Sequence, residues 1–127
     1  MNIDKIFVIN LNYRTDRKKI IIEELKKYNI ENYEFFDAIR PGFQDIIEWN
    51  NQFCSHVRTN FNDPQKLLFY MIGCLGCLKS HLEVCKLALE RKYKNILILE
   101  DDTQFIHNLD KLQEFSSQIN NDYDMLY

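Results

Sequence analysis

The clearest feature of the hydrophobic pattern is a short apolar run that leads directly into three acids. Residues 96–99 are all apolar, and Glu100, Asp101 and Asp102 follow them without a break. A short run with no polar face predicts a strand buried on both sides, as in a parallel α/β sheet. Ligands bind at the carboxyl edge of such sheets, so the acids are expected at a binding site.

The start of the chain shows a strand–helix–strand pattern. Lys5–Asn10 predicts a first strand, and an amphipathic helix follows to about Tyr28, with Asn12 or Thr15 as its cap. Tyr33–Asp37 predicts a second strand, which completes a unit of about 30 residues. Such a connection joins parallel strands, so the predicted fold class is α/β, with a mostly parallel sheet flanked by helices.

The rest of the chain predicts mainly helices. Phe43–Phe53 predicts a short amphipathic helix, and residues 66–72 predict either a strand or the start of a helix. A longer helix follows from near Gly73 and continues to about Lys92. The predicted buried stripe of this longer helix consists of Leu78, Leu82, Cys85 and Leu89. A further helix is predicted from Leu109 to Ile119, and residues 124–127 predict the opening of a further strand.

The three adjacent acids suggest a cation site. Neighbouring carboxylates repel one another unless a cation or a set of hydrogen-bond donors offsets their charge. Mg²⁺ and Mn²⁺ prefer oxygen ligands and commonly bridge carboxylates to a substrate phosphate. Residues 100–102 therefore predict a site for either cation. The alternative is that Asp102 or Thr103 only caps the next helix.

Two arginines and an acid extend the candidate site. Arg14 and Arg17 lie in or beside the first turn of the predicted first helix, where the helix dipole disfavours cations. Either an anion such as phosphate binds there, or Asp16 and solvent offset the charge, and the second interpretation is favoured. Asp37 ends the second strand, where binding of a ribose hydroxyl and capping of the next turn are weighed equally.

One predicted helix carries Cys74, Cys77, His81 and Cys85. A Cys-x-x-Cys redox pair is a minor alternative, because Cys77 is expected on the core side of the helix. A zinc site built from these four residues is also a minor alternative, because one straight helix cannot supply all four corners of a tetrahedron. The favoured role for the cysteines is that of small buried hydrophobic residues, with Cys77 and Cys85 on the core side. His81 is expected to line the site or to form a structural hydrogen bond. A direct relay with Ser80 is not expected, because adjacent helical residues do not face each other.

Composition and charge narrow the classes of function. The 127 residues are expected to form a single domain, residues 1–127. The net charge of −3 argues against nucleic acid as a partner. The sequence lacks an apolar run near the ~20 residues of a membrane helix, and residues 1–10 lack the pattern of a signal peptide. A cytoplasmic location with reduced thiols and no membrane span is therefore expected.

Four blocks of sequence combine these features in one order. They are Phe7–Arg17, Phe36–Ala38, Gly73–His81 and Leu97–Asp102. Together they resemble glycosyltransferase family 25, the family of lipopolysaccharide-core and procollagen galactosyltransferases, over nearly the whole chain. Cys74 stands where the family's motif Gly-Glu-x-Gly-Cys-x-x-Ser-His has Glu, so the polar role that this Glu would have is not expected at Cys74.

The resemblance implies a GT-A, Rossmann-like fold and a nucleotide-sugar donor such as UDP-galactose or UDP-glucose, used with Mn²⁺ or Mg²⁺. It implies transfer of the sugar to the hydroxyl of a glycan or a hydroxylated protein, with inversion at the anomeric centre. It makes residues 100–102 the metal motif, with Asp102 and Asp101 as ligands. The substrate-binding residues that it implies are Asn10, Leu11, Arg14, Arg17, Asp37, Ala38, Gly76, Ser80, His81, Glu100 and Asp101.

The resemblance also implies that the chain holds the nucleotide-binding half of the family and ends after the acidic motif. The acceptor-binding half and a catalytic base are then expected to lie outside it. The alternative function is a catalytically silent module that binds nucleotide sugars or oligomerises. A homodimer is one such form, because a partner would cover the open edge of the sheet.

Overall fold

The computed structural model describes residues 3–53 and 63–118. In chain order, the elements of this part are β1 (Lys5–Asn10), α1 (Thr15–Lys27), β2 (Tyr33–Asp37), α2 (Phe43–Phe53), α3 (Pro64–Glu90), β3 (Ile96–Glu100) and α4 (Asp110–Ser116). The predicted bounds of β1, β2 and α2 are confirmed. The strand predicted at residues 124–127 lies outside the described residues.

The three described strands form one parallel sheet in the order β2-β1-β3, with helices packed on both faces. This arrangement confirms the predicted α/β class and the parallel sheet. β2 and β3 lie on opposite sides of β1, so the strand order reverses at β1. In α/β sheets, ligands bind outside the carboxyl ends of the strands at such a reversal, here between β1 and β3.

β1 is the strand that is buried on both faces. Ile6 and Val8 pack on the side of α1, and Phe7 and Ile9 pack on the side of α3. This alternation follows from the two-residue period of a strand. Two hydrophobic clusters therefore share β1, and the end of this strand is held from both sides.

The prediction that β3 is buried on both sides is confirmed only in part, since its residues pack alternately toward α1 and toward α3 but are not all fully buried. Leu99 is buried, while residues 96–98 are only partly buried. Within the described residues, β3 pairs with β1 alone and so lies at an edge of the sheet. The apolar run correctly predicts a strand next to a core, but it does not distinguish an edge position from a central one.

α3 begins earlier than the sequence pattern predicts. The side chain of Asp63 accepts a hydrogen bond from the backbone N–H of Gln65 at 2.9 Å, and Pro64 follows as the first helical residue. This is a regular helix start, because such a cap satisfies a free N–H and proline needs none there. Gly73 therefore lies in the helix interior, and of the two alternatives predicted for residues 66–72 the structure has the helix.

The predicted buried stripe of α3 is also wrong. Leu78, Leu82 and Leu89 are exposed, and Cys85 is partly exposed. The buried residues are Leu75, Gly76, Ser80, Val84 and Ala88. Several of these are small and recur every four residues, so the backbone of α3 comes close to its neighbours. Selecting the bulkiest apolar residues therefore identifies the wrong face.

The exposed leucines make α3 apolar on its outer side. An 18-residue window of α3 has a mean hydropathy of 1.3, and 22% of it is buried, so its length and composition would allow it to cross a membrane. Length and composition alone are weak evidence for a span, because core helices of soluble proteins meet the same conditions. The expected absence of a span and the cytoplasmic location stay predictions.

α3 touches the loop after β2 at Gly76. A Cβ on Gly76 would lie 2.7 Å from the carbonyl oxygen of Ile39, so a side chain does not fit. The fully buried Ser80 Oγ accepts a hydrogen bond from the N–H of Ile39 at 2.8 Å and donates one to the carbonyl oxygen of Gly76 at 2.7 Å. These contacts fix the loop against the helix.

Gly76→Ala should lower the free energy of unfolding by ~1–3 kcal/mol, because the added methyl group overlaps the backbone of the loop. Gly73→Ala is the matched control, since no atom lies within 4 Å of a Cβ at that position. It should raise the free energy of unfolding by ~0.5–1 kcal/mol through helix propensity. Urea unfolding followed by circular dichroism measures both changes. Equal effects of the two substitutions would contradict the close contact.

Candidate functional site

A cavity of about 390 Å³ opens at the carboxyl ends of β1 and β3, where the strand order reverses. Its walls come from the loops after β1 and β2, the start of α1 and the middle of α3. The predicted substrate-binding residues that line it are Leu11, Arg14, Arg17, Ala38, Gly76, Ser80, His81, Glu100 and Asp101. Four distant sequence blocks thus meet around a cavity of the size that small ligands use.

Three predicted residues do not line this cavity. Asn10 is buried and reaches the site through a hydrogen bond to Asp101. Asp37 is exposed at the end of β2, in register with Asn10. Asp102 is exposed as well, with 62% of its side-chain surface accessible. The structure therefore separates Asp37 and Asp102 from the cavity wall that holds the other predicted residues.

The three acids have different surroundings, because Glu100 is the last residue of β3 and the other two lie in the turn after it. Ile98 packs on the side of α3, and Leu99 packs on the side of α1. The same two-residue period directs Glu100 toward α3, where it contacts Cys77. Asp101, in the turn, contacts Arg17 of α1. Consecutive carboxylates are therefore divided between two walls of the site.

Asp101 is the most connected acid of the site. It is buried, and each carboxylate oxygen accepts a hydrogen bond: Oδ2 from Asn10 Nδ2 at 2.7 Å and Oδ1 from Arg17 Nη1 at 2.9 Å. The same nitrogen of Arg17 lies 3.5 Å from Asp102. Buried carboxylates need such partners. This network joins the ends of β1 and β3 to the first turn of α1.

Arg14 has a counter-charge of its own. Its guanidinium donates hydrogen bonds to both carboxylate oxygens of Asp16, at 2.9 and 2.7 Å. These bonds hold the pKa of Asp16 well below its usual range. Asp16 therefore offsets the charge of Arg14 in the structure, and binding of an anion at this helix start stays a prediction. The predicted caps Asn12 and Thr15 are wrong: the cap position is Arg14, without a side-chain cap bond, and Thr15 is already helical.

On the side of α3, Cys77, His81 and Glu100 form a second polar cluster. Cys77 Sγ lies 3.5 Å from Glu100 Oε1 and 3.7 Å from His81 Nδ1. Burial raises the pKa of the Cys77 thiol, and the Glu100 carboxylate raises it further. The prediction that Cys77 faces the core is wrong, for the same reason as the predicted leucine stripe. The cluster contains neither Cys74 nor Cys85. It therefore differs from the set of three cysteines and His81 that the sequence pattern suggests.

Some residues of the cavity carry no obvious chemical signal in the sequence. They are Ile9, Tyr13, Ile39, Arg40, Phe69 and Ile72. Arg40 donates a hydrogen bond from Nη1 to the hydroxyl of Tyr13 at 2.8 Å, which joins the loops after β1 and β2. Ile9 and Tyr13 lie within the sequence block Phe7–Arg17, and the other four are close in sequence to Ala38 or Gly73.

The family model described as Glycosyltransferase family 25 (LPS biosynthesis protein) matches residues 3–127. The chain belongs to glycosyltransferase family 25. This membership supports glycosyl transfer in general.

Relatives of this family 25 chain include procollagen galactosyltransferase 2 of Mus musculus, at 29% identity over 100% of the chain and 21% of the relative. A putative glycosyltransferase of Haemophilus influenzae is 38% identical over 85% of the chain and 36% of the relative. A putative glycosyltransferase of Acanthamoeba polyphaga mimivirus is 34% identical over 82% of the chain and 30% of the relative. The family 25 chain thus spans about a fifth to a third of the length of these relatives.

Asp101→Asn should lower the free energy of unfolding of the family 25 chain by about 1–3 kcal/mol, because it removes the charge that Arg17 binds. Asp102→Asn is the matched control. It makes the same change one residue later on an exposed side chain and should stay within about 0.5 kcal/mol. Urea unfolding measures both. A loss for Asp102→Asn as large as that for Asp101→Asn would contradict the distinct roles of the two acids.

Proposed function

We propose that this chain is the GT-A-type, nucleotide-sugar-binding domain of a glycosyltransferase, extending over residues 1–127. The proposed reaction moves a hexose from a donor of the UDP-galactose or UDP-glucose type to a hydroxyl of a glycan or a hydroxylated protein. The supporting observation is a cavity at the strand reversal in which Arg14 and Arg17 lie beside Glu100 and Asp101. Arginines suit a diphosphate, and carboxylates suit the cation that accompanies it.

The two arginines suit a diphosphate in different ways. Arg17 is oriented by Asp101 through Nη1, and the other donors of its planar guanidinium are suited to phosphate oxygens. Arg14 forms an exposed ion pair with Asp16. Such pairs contribute only about 0–1 kcal/mol, so a phosphate can replace this partner at low cost. Both side chains lie at or beside the start of α1, where the helix dipole favours an anion.

The apolar wall of the cavity is proposed for the nucleoside. Tyr13 and Phe69 are exposed aromatic side chains that line the cavity, and nucleic-acid bases stack on such rings. Arg40 holds Tyr13 through its hydroxyl. Asp37 is proposed for the ribose hydroxyls, because it precedes the cavity residue Ala38 at the end of β2.

The acidic motif fits a hard divalent cation such as Mn²⁺ or Mg²⁺. Asp102 is exposed, and its contact with Arg17 is long at 3.5 Å, so its oxygens suit an oxygen-preferring cation. Asp101 is the weaker candidate ligand, because each of its oxygens already accepts a hydrogen bond. When bound, the cation would neutralise negative charge on the departing diphosphate. The chain itself would hold Arg17 toward the same phosphates.

Titration calorimetry with UDP in the presence of Mn²⁺ tests the donor site. Arg14→Gln should weaken binding about tenfold or more, because a hydrogen bond to a charged group contributes roughly 1.5–3 kcal/mol. Arg91→Gln is the matched control, since Arg91 forms a comparable exposed ion pair with Glu34 at 2.7 Å outside the cavity. Equal UDP affinities of the two variants would exclude the proposed phosphate role of Arg14.

Asp102→Asn should remove most of the Mn²⁺-dependent part of UDP binding, because an amide is a poorer ligand than a carboxylate. Asp110→Asn, in the first turn of α4, should leave that binding unchanged. Release of UDP from UDP-sugars by the same samples separates the two functions. Turnover supports the transferase, and Mn²⁺-dependent binding without turnover supports the silent module. UDP binding that responds neither to Mn²⁺ nor to Asp102→Asn would reject the cation site.

A further inference from the structure

Three metal-ligating side chains of different chemistry meet on the α3 side of the cavity. Cys77 and His81 are one turn apart on α3, and Glu100 is the last residue of β3. One ligand atom from each residue lies within 4.8 Å of the other two. All three residues line the cavity, so an ion can reach the point between them from solvent.

The two distances from the sulfur of Cys77 match the edges of a tetrahedral zinc site. Zn–S bonds of about 2.3 Å and Zn–N or Zn–O bonds of about 2.0–2.2 Å place the sulfur about 3.5 Å from a nitrogen or oxygen ligand. Cys77 Sγ lies 3.7 Å from His81 Nδ1 and 3.5 Å from Glu100 Oε1. Only small side-chain movements would therefore be needed for zinc to enter.

The ligand types distinguish this cluster from the acidic motif at Asp102. Thiolate and imidazole favour Zn²⁺, whereas Mn²⁺ and Mg²⁺ favour oxygen ligands. A single helix cannot supply all the ligands of a tetrahedral zinc site. That limit does not apply here, because β3 supplies Glu100 as the third ligand.

We propose that Cys77, His81 and Glu100 bind Zn²⁺, with a fourth position on the cavity side taken by water or a solute. Binding displaces the thiol proton of Cys77 to solvent, and the neutral imidazole supplies a lone pair. His81 Nδ1 lies 3.0 Å from the carbonyl oxygen of Cys77. If Nδ1 carries the proton, it keeps this hydrogen bond and Nε2 is the zinc ligand. If Nδ1 is the zinc ligand, the bond to zinc replaces the hydrogen bond to the carbonyl oxygen of Cys77. The zinc site does not depend on nucleotide-sugar binding.

Titration of the reduced, full 127-residue chain with Zn²⁺, and with Co²⁺ as a spectroscopic probe, tests the site. Co²⁺ should give a thiolate charge-transfer band and the strong visible bands of tetrahedral coordination. Cys77→Ser should abolish the charge-transfer band and weaken Zn²⁺ binding at least ~10–100-fold, because loss of even an outer partner of a ligand costs that much. Cys85→Ser, on the same helix but outside the cluster, should keep both properties.

Two further variants keep the test decisive if Cys77→Ser fails to fold. His81→Gln and Glu100→Gln should each weaken Zn²⁺ binding, and His107→Gln, in an exposed loop, should not. The proposal is overturned if Co²⁺ gives no thiolate band. It is also overturned if the band survives Cys77→Ser. Zinc binding without UDP binding would reject the proposed donor site and leave the zinc site intact.

Discussion

The site depends on the charge of one buried carboxylate, that of Asp101. Asn10 brings the end of β1 to it, and Arg17 brings the first turn of α1 to it. These contacts cross the point where the strand order reverses, so the end of β3 meets the end of β1 and the start of α1, although 91 positions separate Asn10 from Asp101. With the charge of Asp101 offset by Arg17, the other two acids stay free for different surroundings. Asp102 faces solvent, and Glu100 lies against α3.

Much of this arrangement is predictable from period-two and turn signals. The alternating apolar residues of β1 and the turns around α1 predicted the strand–helix–strand unit and its parallel pairing, and Asp101 and Arg17 were both identified. The alternation of Ile98 and Leu99 also indicates the face on which Glu100 lies. A prediction of one cation site for all three acids does not use this alternation. Their pairing partners could not be predicted, because a strand pattern does not show which helix covers which face.

The wrong predictions about the faces of α3 share one physical cause. Hydrophobicity reports how strongly a residue favours burial, whereas the packing of α3 is governed by how closely its backbone approaches the loop after β2. Gly76 and Ser80 are buried because they are small and hydrogen-bonded, while Leu78 and Leu82 remain exposed. A core face defined by the leucines corresponds to α3 rotated about its own axis relative to the structure. That rotation placed Cys77 in the core and hid the cluster with Glu100.

The bond between Ile39 and Ser80 has a consequence for motion. Loops are usually the least protected parts of a fold and open without the rest of the molecule. Here the N–H of Ile39, although in a loop, is held by a hydroxyl that is fully buried in α3. Opening of this loop would break the bond to Ser80 and leave a buried hydroxyl without this donor. The amide of Ile39 should therefore exchange its hydrogen more slowly than loop amides usually do, so this wall of the cavity shares in the protection of the core.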